Sequence, residues 1–166
     1  EQGLVPIVEP EVLMDGDHDI EVCYDVTEAT LRSLFGALYQ QDVLIEGVIL
    51  KASMVLPGKG CTEQVSEEEV AVATLRCLKA SVPANLPGIV FLSGGQSDEA
   101  ATAHLNAMNQ LGHAPWPLSF SYGRAMQQAA LKLWAQDMHG NYAAAQQTVH
   151  ARARDNGLAT LGEWTR

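Results

Sequence analysis

The chain has 166 residues, 47% hydrophobic and 18% charged, which is enough for one compact domain and too apolar for a disordered segment. Its net charge of −10 and pI of about 4.8 argue against a nucleic-acid surface and against attraction to anionic lipid. An acidic protein that handles an anionic ligand needs a local basic pocket.

The chain opens "EQGLVPIVEP", with neither an initiator methionine nor a basic-then-apolar leader, and reads as starting inside a longer polypeptide. No run approaches the roughly 18 to 20 apolar residues of a membrane span. Cys23, Cys61 and Cys77 are odd in number and form no C-x-x-C pair. They predict neither a disulfide framework nor a zinc site, and a reduced cytosolic compartment is the default.

The first predicted strand is "LVPIVEPEV" (Leu4 to Val12), followed by the loop "MDGDHD". Asp25 with Glu28 three residues on predicts a helix start. Leu31, Leu34, Phe35 and Leu38 then follow i, i+3, i+4, i+7. The second strand runs from Gly47 to Met54. "SEEE" (Ser66 to Glu69) is a capping box opening a helix to about Ala80. "GIVFLSGG" (Gly88 to Gly95) is the third strand. Its helix starts near Ser97, with Ala101, Leu105, Met108 and Leu111 as the apolar face. "PLSFSYG" (Pro117 to Gly123) is the fourth, followed by a helix from Arg124 with Met126, Ala129, Ala130 and Leu133 on one face. A last helical segment covers about Tyr142 to Arg154, and no interdomain linker divides residues 1–166.

Strands alternating with helices predict β-α-β units and a parallel α/β sheet. Two architectures fit: an open doubly wound sheet, or part of a (β/α)8 TIM barrel. Four units make half of such a barrel, whose usual size is roughly 250 residues. The missing initiator methionine favours the half-barrel.

Each strand ends in polar residues at its C-terminal end: Glu9 and Glu11, then Lys51 and Ser53, then Ser93, then Ser119, Ser121 and Arg124. Alternation puts Ile7, Glu9 and Glu11 on one face. It does the same for Ile49, Lys51 and Ser53, and for Ile89, Phe91 and Ser93. If those faces point into a barrel, the polar groups converge at its C-terminal mouth, where such barrels keep their active sites. The plainer reading is that polar residues mark where strands exit into solvent.

Lys51 stands in an otherwise apolar run, where lysine is almost never fully buried without compensation. Desolvation favours the neutral amine, the nucleophile that attacks a carbonyl to form a Schiff base. Carboxylates beside it can accept and return the protons of those steps. A lysine snorkelling from a strand end or pairing with a glutamate is the plainer account, and the residues alone leave both open. "SGGQS" and "SYGR" read as anion-binding turns running into helix N-termini, with Arg124 adding a guanidinium fork for phosphate. Neither has the Walker spacing. Two other signals fail. "DGDHD" opens like a calcium loop, but Ile20 stands where glycine is needed and Val26 where glutamate is needed, so it reads as a solvated loop. The five histidines lack metal-ligand spacing, and most read as surface or helix residues.

"VPIVEPEVLMDGDHD", "EGVILKASMVLPGKGC", "LPGIVFLSGGQSDEAATAHLNAMN" and "PWPLSFSYGRAMQQAALKLW" together resemble the second half of class I fructose-1,6-bisphosphate aldolase, from about Leu4 to Tyr142. The resemblance implies that this chain supplies strands five to eight of the barrel. It implies that Lys51 is the Schiff-base lysine, attacking the ketose C2 carbonyl so that the iminium accepts electrons from C3–C4 cleavage. It makes Glu9 the proton-shuttling acid/base and Glu11 its neighbour in the charge network. Ser93, Gly94, Gly123 and Arg124 match the positions that hold the C1 phosphate, with Ser121 beside them. No cofactor and no metal are implied. The partners implied are a phosphorylated sugar and further copies of the chain in a homotetramer, in the cytoplasm, with no nucleic acid and no membrane.

The chain departs from that pattern at Ala52 and Ser53, where the family usually has proline and asparagine. It also lacks the family's C-terminal tail with its tyrosine, and the first four strands with their aspartate, lysines and arginine. A half-barrel alone exposes two strand edges, so the isolated segment is expected to turn over little or no substrate. Two other functions stay open: a Schiff-base barrel lyase for a different phosphosugar, and a non-catalytic phosphate-binding or interaction module.

Overall fold

The computed structural model describes residues 2–63 and 65–166. Four short strands, β1 (Ile7–Val8), β2 (Ile49–Ala52), β3 (Ile89–Phe91) and β4 (Leu118–Phe120), pair in parallel in chain order. Helices α1 (Ile20–Gln40), α2 (Glu67–Ser81), α3 (Asp98–Leu111) and α4 (Arg124–Gln136) follow them in turn, and α5 (Tyr142–Ala159) closes the chain.

The strands are shorter than the apolar runs that predict them. In the first run Pro6 and Pro10 cannot donate to a ladder, which confines pairing to Ile7 and Val8. The second run begins with a 3-10 turn (Ile45–Gly47), so Gly47 is not in the strand. Beyond β3 and β4 single bonds carry the pairing a step further, from Leu92 N–H to Ala52 O at 3.0 Å and from Ser121 N–H to Phe91 O at 2.9 Å.

Register decides which face each residue takes. Leu50, Ile89 and Leu118 are aligned across three strands, as are Ala52, Phe91 and Phe120. The first four and Phe91 are buried in the core with Leu31, Phe35, Val70, Leu78 and Leu105 from the helices. Lys51 aligns instead with Val90 and Ser119, and Ile7 with Ile49, on a face that is half-buried to exposed. This corrects the expected grouping of Ile89 and Phe91 with Lys51: they lie on the helix-covered face, and Val90 shares the lysine's face. Alternation gives parity within a strand, but only pairing relates one strand's parity to the next. A doubly wound sheet buries both faces. Here the face opposite the helix-packed core stays partly open.

α1 starts five residues before the expected Asp25. Its cap is Asp19, whose carboxylate accepts the Val22 N–H at 2.8 Å. Asp25 and Glu28 imitate a capping pair from inside the helix, where Glu28 bridges to Arg32 one turn on at 2.7 Å. Leu31 and Phe35 are buried as the stripe requires, with Leu34 and Leu38 packed at its margin. α2 has the expected capping box, Ser66 and Glu69 exchanging both bonds. In α3 Leu111 lies outside the core, 38% exposed, and in α4 Ala125 replaces Ala129 as a buried position.

α5 runs beyond the expected Arg154 because Asn156 and Ala159 are fully buried. Asn156 accepts from the Thr102 hydroxyl at 2.8 Å and donates to Arg152 O at 2.9 Å. Arg152 donates to Asp98 O, Thr102 Oγ1 and Ala125 O, so one guanidinium joins α5 to α3 and α4. Buried polar groups hold only when satisfied. Asn156→Leu removes the amide's bonds to Thr102 and Arg152 O from a fully buried site and is expected to lower the unfolding free energy by about 1–3 kcal/mol, read from urea denaturation.

Candidate active site

The C-terminal ends of all four strands lie on one side, and the groups singled out in the sequence stand there. Lys51 is held in the centre of the sheet by pairing to β1 and β3. Its Nζ meets Glu9 Oε1 at 2.9 Å, with the lysine side chain 21% exposed and the glutamate 44%. A carboxylate at that distance shares a proton path with the amine, as acid/base work at a nucleophilic lysine needs.

The anion-binding groups converge around Gly94. A Cβ built there would lie 3.4 Å from Glu11 Oε1 and 3.9 Å from Arg124 Nη2, so a carboxylate from the first loop and a guanidinium from the fourth approach one point. Ser93 beside it is buried, and Ser121 is half-buried. Arg124 has no carboxylate ion pair among the described residues.

The two turns differ in what they offer. At α3 the Ser97 hydroxyl already accepts the Ala100 N–H at 3.1 Å, and Asp98 and Glu99 fill the first turn. That helix end is capped and negative, so "SGGQS" can offer an anion its turn rather than its helix dipole. At α4 the cap is Gly123, with no side-chain bond, and no acidic residue follows in the first turn. Its N–H groups and dipole are left to an anion, with Arg124 as the first helical residue. Tyr122 fixes this turn from below, donating its hydroxyl to Ala101 O at 2.8 Å. Burial pushes that phenol's pKa up, so it stays a donor.

The first three loops are tied to each other. Lys59 and Gly60 donate to Met14 O and Gly16 O, and Gly58 to His18 O, at 2.8 to 2.9 Å. A Cβ on Gly58 would sit 2.5 Å from Gly16 O, and Lys59 reaches Asp15 at 3.3 Å. Gly95, at φ +81°, packs so closely that a Cβ would meet Met14 Cγ at 2.5 Å. "DGDHD" is an exposed loop, as expected, and it also supplies backbone acceptors to the second loop and the cap of α1. No group of three or more His, Cys, Asp or Glu side chains able to hold a metal ion occurs among the described residues.

Sequence reasoning missed Met14, Gln96 and His104. Nothing in the sequence marks Met14. His104 did carry a signal: with Ala101, Leu105 and Met108 it completes the i, i+3, i+4, i+7 stripe, and it is 8% exposed. Its Nδ1 lies 2.7 Å from Gln96 Oε1, tying α3 to the "SGGQS" turn.

Comparison with known proteins bears on the whole chain. The family model for class-I fructose-bisphosphate aldolase matches residues 1–166. A probable fructose-bisphosphate aldolase class 1 of Xanthomonas campestris pv. campestris is 76% identical over 99% of this chain and 49% of its own length. Fructose-bisphosphate aldolase B of Sparus aurata is 53% identical over 98% of this chain and 44% of its own. The solved fructose-bisphosphate aldolase of Plasmodium falciparum, in complex with TRAP and a small-molecule inhibitor, superposes with a TM-score of 0.94 at 48% identity. That match covers 98% of this chain and 47% of that one. The chain spans about half the length of the curated relatives it matches.

Burial lowers the His104 pKa from its usual 6.5 to about 4, with Glu67 opposing and Arg166 adding to the shift. The folded protein therefore resists a proton that the unfolded chain accepts below pH 6.5. Stability from this residue is full above that pH and is lost as pH falls toward 4, by up to about 3 kcal/mol. Urea unfolding at pH 7 and pH 4.5 measures it, and His104→Gln is expected to flatten that part of the decline. Gly95→Ala, which drives a Cβ into Met14, is expected to displace the turn and weaken inorganic phosphate binding in calorimetric titration.

Proposed function

The chain belongs to the class I fructose-bisphosphate aldolase family, and from that membership we propose that its protein reversibly cleaves fructose 1,6-bisphosphate through a Schiff base on Lys51. The observation that carries the reading is the 2.9 Å contact between Lys51 Nζ and Glu9 at the C-terminal edge of the sheet. In the neutral form, the amine adds to the ketose C2 carbonyl and the carbinolamine loses water to an iminium. The C4 hydroxyl then gives up its proton, and the C3–C4 bonding pair flows into the iminium. Glyceraldehyde 3-phosphate leaves, and an enamine remains. Protonation at C3 and hydrolysis release dihydroxyacetone phosphate and restore the lysine.

Glu9 moves protons in the carbinolamine and dehydration steps, being the carboxylate in contact with the amine. Glu11, which approaches Gly94 from the first loop, belongs to the charge network of the site. Ser93, Gly94, Ser121, Gly123 and Arg124 hold the C1 phosphate, a local basic site in a chain of net charge −10. No cofactor or metal takes part. β1 to β4 serve as strands five to eight of a (β/α)8 barrel. The parallel chain-order sheet, its one helix-packed face and the half-length match to relatives support this. The activity belongs to the complete barrel. A homotetramer is proposed from the family resemblance. A cytoplasmic location has the support of a relative named fructose-bisphosphate aldolase 4, cytosolic, of Arabidopsis thaliana. No helix among the described residues is long and apolar enough to cross a membrane.

Borohydride reduction of the full-length protein with dihydroxyacetone phosphate is expected to leave a covalent adduct on Lys51, located by peptide mass, and Lys51→Ala to abolish it. Adducts with other phosphoketoses but not this one indicate a different lyase, and binding without any adduct a non-catalytic module. Glu9→Gln is expected to lower kcat by about a hundredfold with the adduct still forming slowly. Arg124→Ala is expected to raise KM by roughly ten- to a hundredfold.

A further inference from the structure

The Lys51–Glu9 contact needs the segment carrying Glu9 and Glu11 to stay beside β2 after β1 has ended. Ile49 N–H donates to Pro6 O at 3.0 Å, so residues of the same parity, Pro6, Val8, Pro10 and Val12, aim their backbone groups at β2. Pro10 has no N–H to give, and the ladder is interrupted between the two glutamates. The next residue of that series is Val12. Its N–H donates to Ser53 Oγ at 3.1 Å, and the same hydroxyl lies 3.4 Å from Val12 O, to which it donates. Ser53 is 3% exposed and stands two residues beyond Lys51. One side chain thus supplies both halves of a missing ladder rung.

We propose that Ser53 is a positioning residue for the reaction: its hydroxyl replaces the rung that Pro10 removes and holds the Glu9-Pro10-Glu11 segment in register with Lys51. The segment is then fixed at both ends, by β1 before Glu9 and by Ser53 after Glu11. Glu9 and Glu11 are themselves exposed and have no packing to hold them. The inference rests on the aldolase reading, because the register matters only if Glu9 serves the amine.

Threonine and valine have the same shape and differ in the hydroxyl, so Ser53→Thr and Ser53→Val separate hydrogen bonding from packing. Both are compared with the wild-type full-length protein by kcat and KM for fructose 1,6-bisphosphate, with thermal melting to confirm folding. Ser53→Val is expected to lose roughly ten- to a hundredfold in kcat, the scale of a misplacement of about 1 Å. Its KM should stay within about twofold, because the phosphate groups lie on other loops. Ser53→Thr should recover most of the kcat. Equal kcat values for the two folded variants, or a loss confined to KM, would overturn the proposal. Borohydride trapping of wild type is the control for the underlying reading: no adduct there means that Lys51 is not the nucleophile, whatever the variants do.

Discussion

An ammonium and a carboxylate held 2.9 Å apart at the end of a parallel sheet are the pair around which this chain is arranged. Neither partner is rigid in itself, since a lysine has four rotatable carbons and the glutamate follows a two-residue strand. Position comes from the backbone under them. β2, like β3, is paired on both sides, which holds it more firmly than the two edge strands. The segment carrying the glutamates has two peptide units of ladder before it and a serine hydroxyl after it. Around this core the first two loops are joined by backbone bonds and the third packs on the first at Gly95 and Met14, and the glycines at 58 and 95 permit approaches that a Cβ would forbid. Apart from Lys51 in β2, the candidate groups sit on loops or at a helix start, and the first three loops are packed on one another.

Charge follows a similar economy. In this acidic chain the α4 N-terminus and Arg124 come close to the "SGG" turn. The carboxylate of Glu11 shares that space. The uncapped α4 end and the capped α3 end show that two similar glycine turns after consecutive strands do not do equal work.

Fold class and site chemistry were legible in the sequence to different depths. Strand-helix alternation, the "SEEE" cap and the stripe of α1 are local signals, and the structure follows them. The gathering of Lys51, Glu9 and the two glycine turns at one end of the sheet was legible from polar residues at the ends of consecutive apolar runs. What sequence could not supply was the relation between distant segments. The parity of β3 is set by pairing to β2, so Ile89 and Phe91 were assigned to the wrong face. The start of α1 was hidden by an acidic pair inside the helix that mimics a cap. Met14 against Gly95 and Ser53 against Val12 are contacts across loops and strands with no local trace. His104 was legible in principle, since it falls in the apolar stripe, but a histidine is usually discounted there.

The bare N-terminus of α4 carries one further consequence. A glycine cap lacks the side-chain acceptor that serine or aspartate supplies, a shortfall of roughly a few tenths of a kcal/mol. An anion seated on Gly123 and Arg124 supplies acceptors for those same N–H groups. On the proposed reading, the substrate's phosphate is the missing cap, and occupancy and the order of that first turn are two descriptions of one equilibrium. Part of the binding free energy is then spent on finishing a helix. On that reading the helix end adds its N–H groups and dipole to the arginine's charge in favouring phosphate over a neutral sugar.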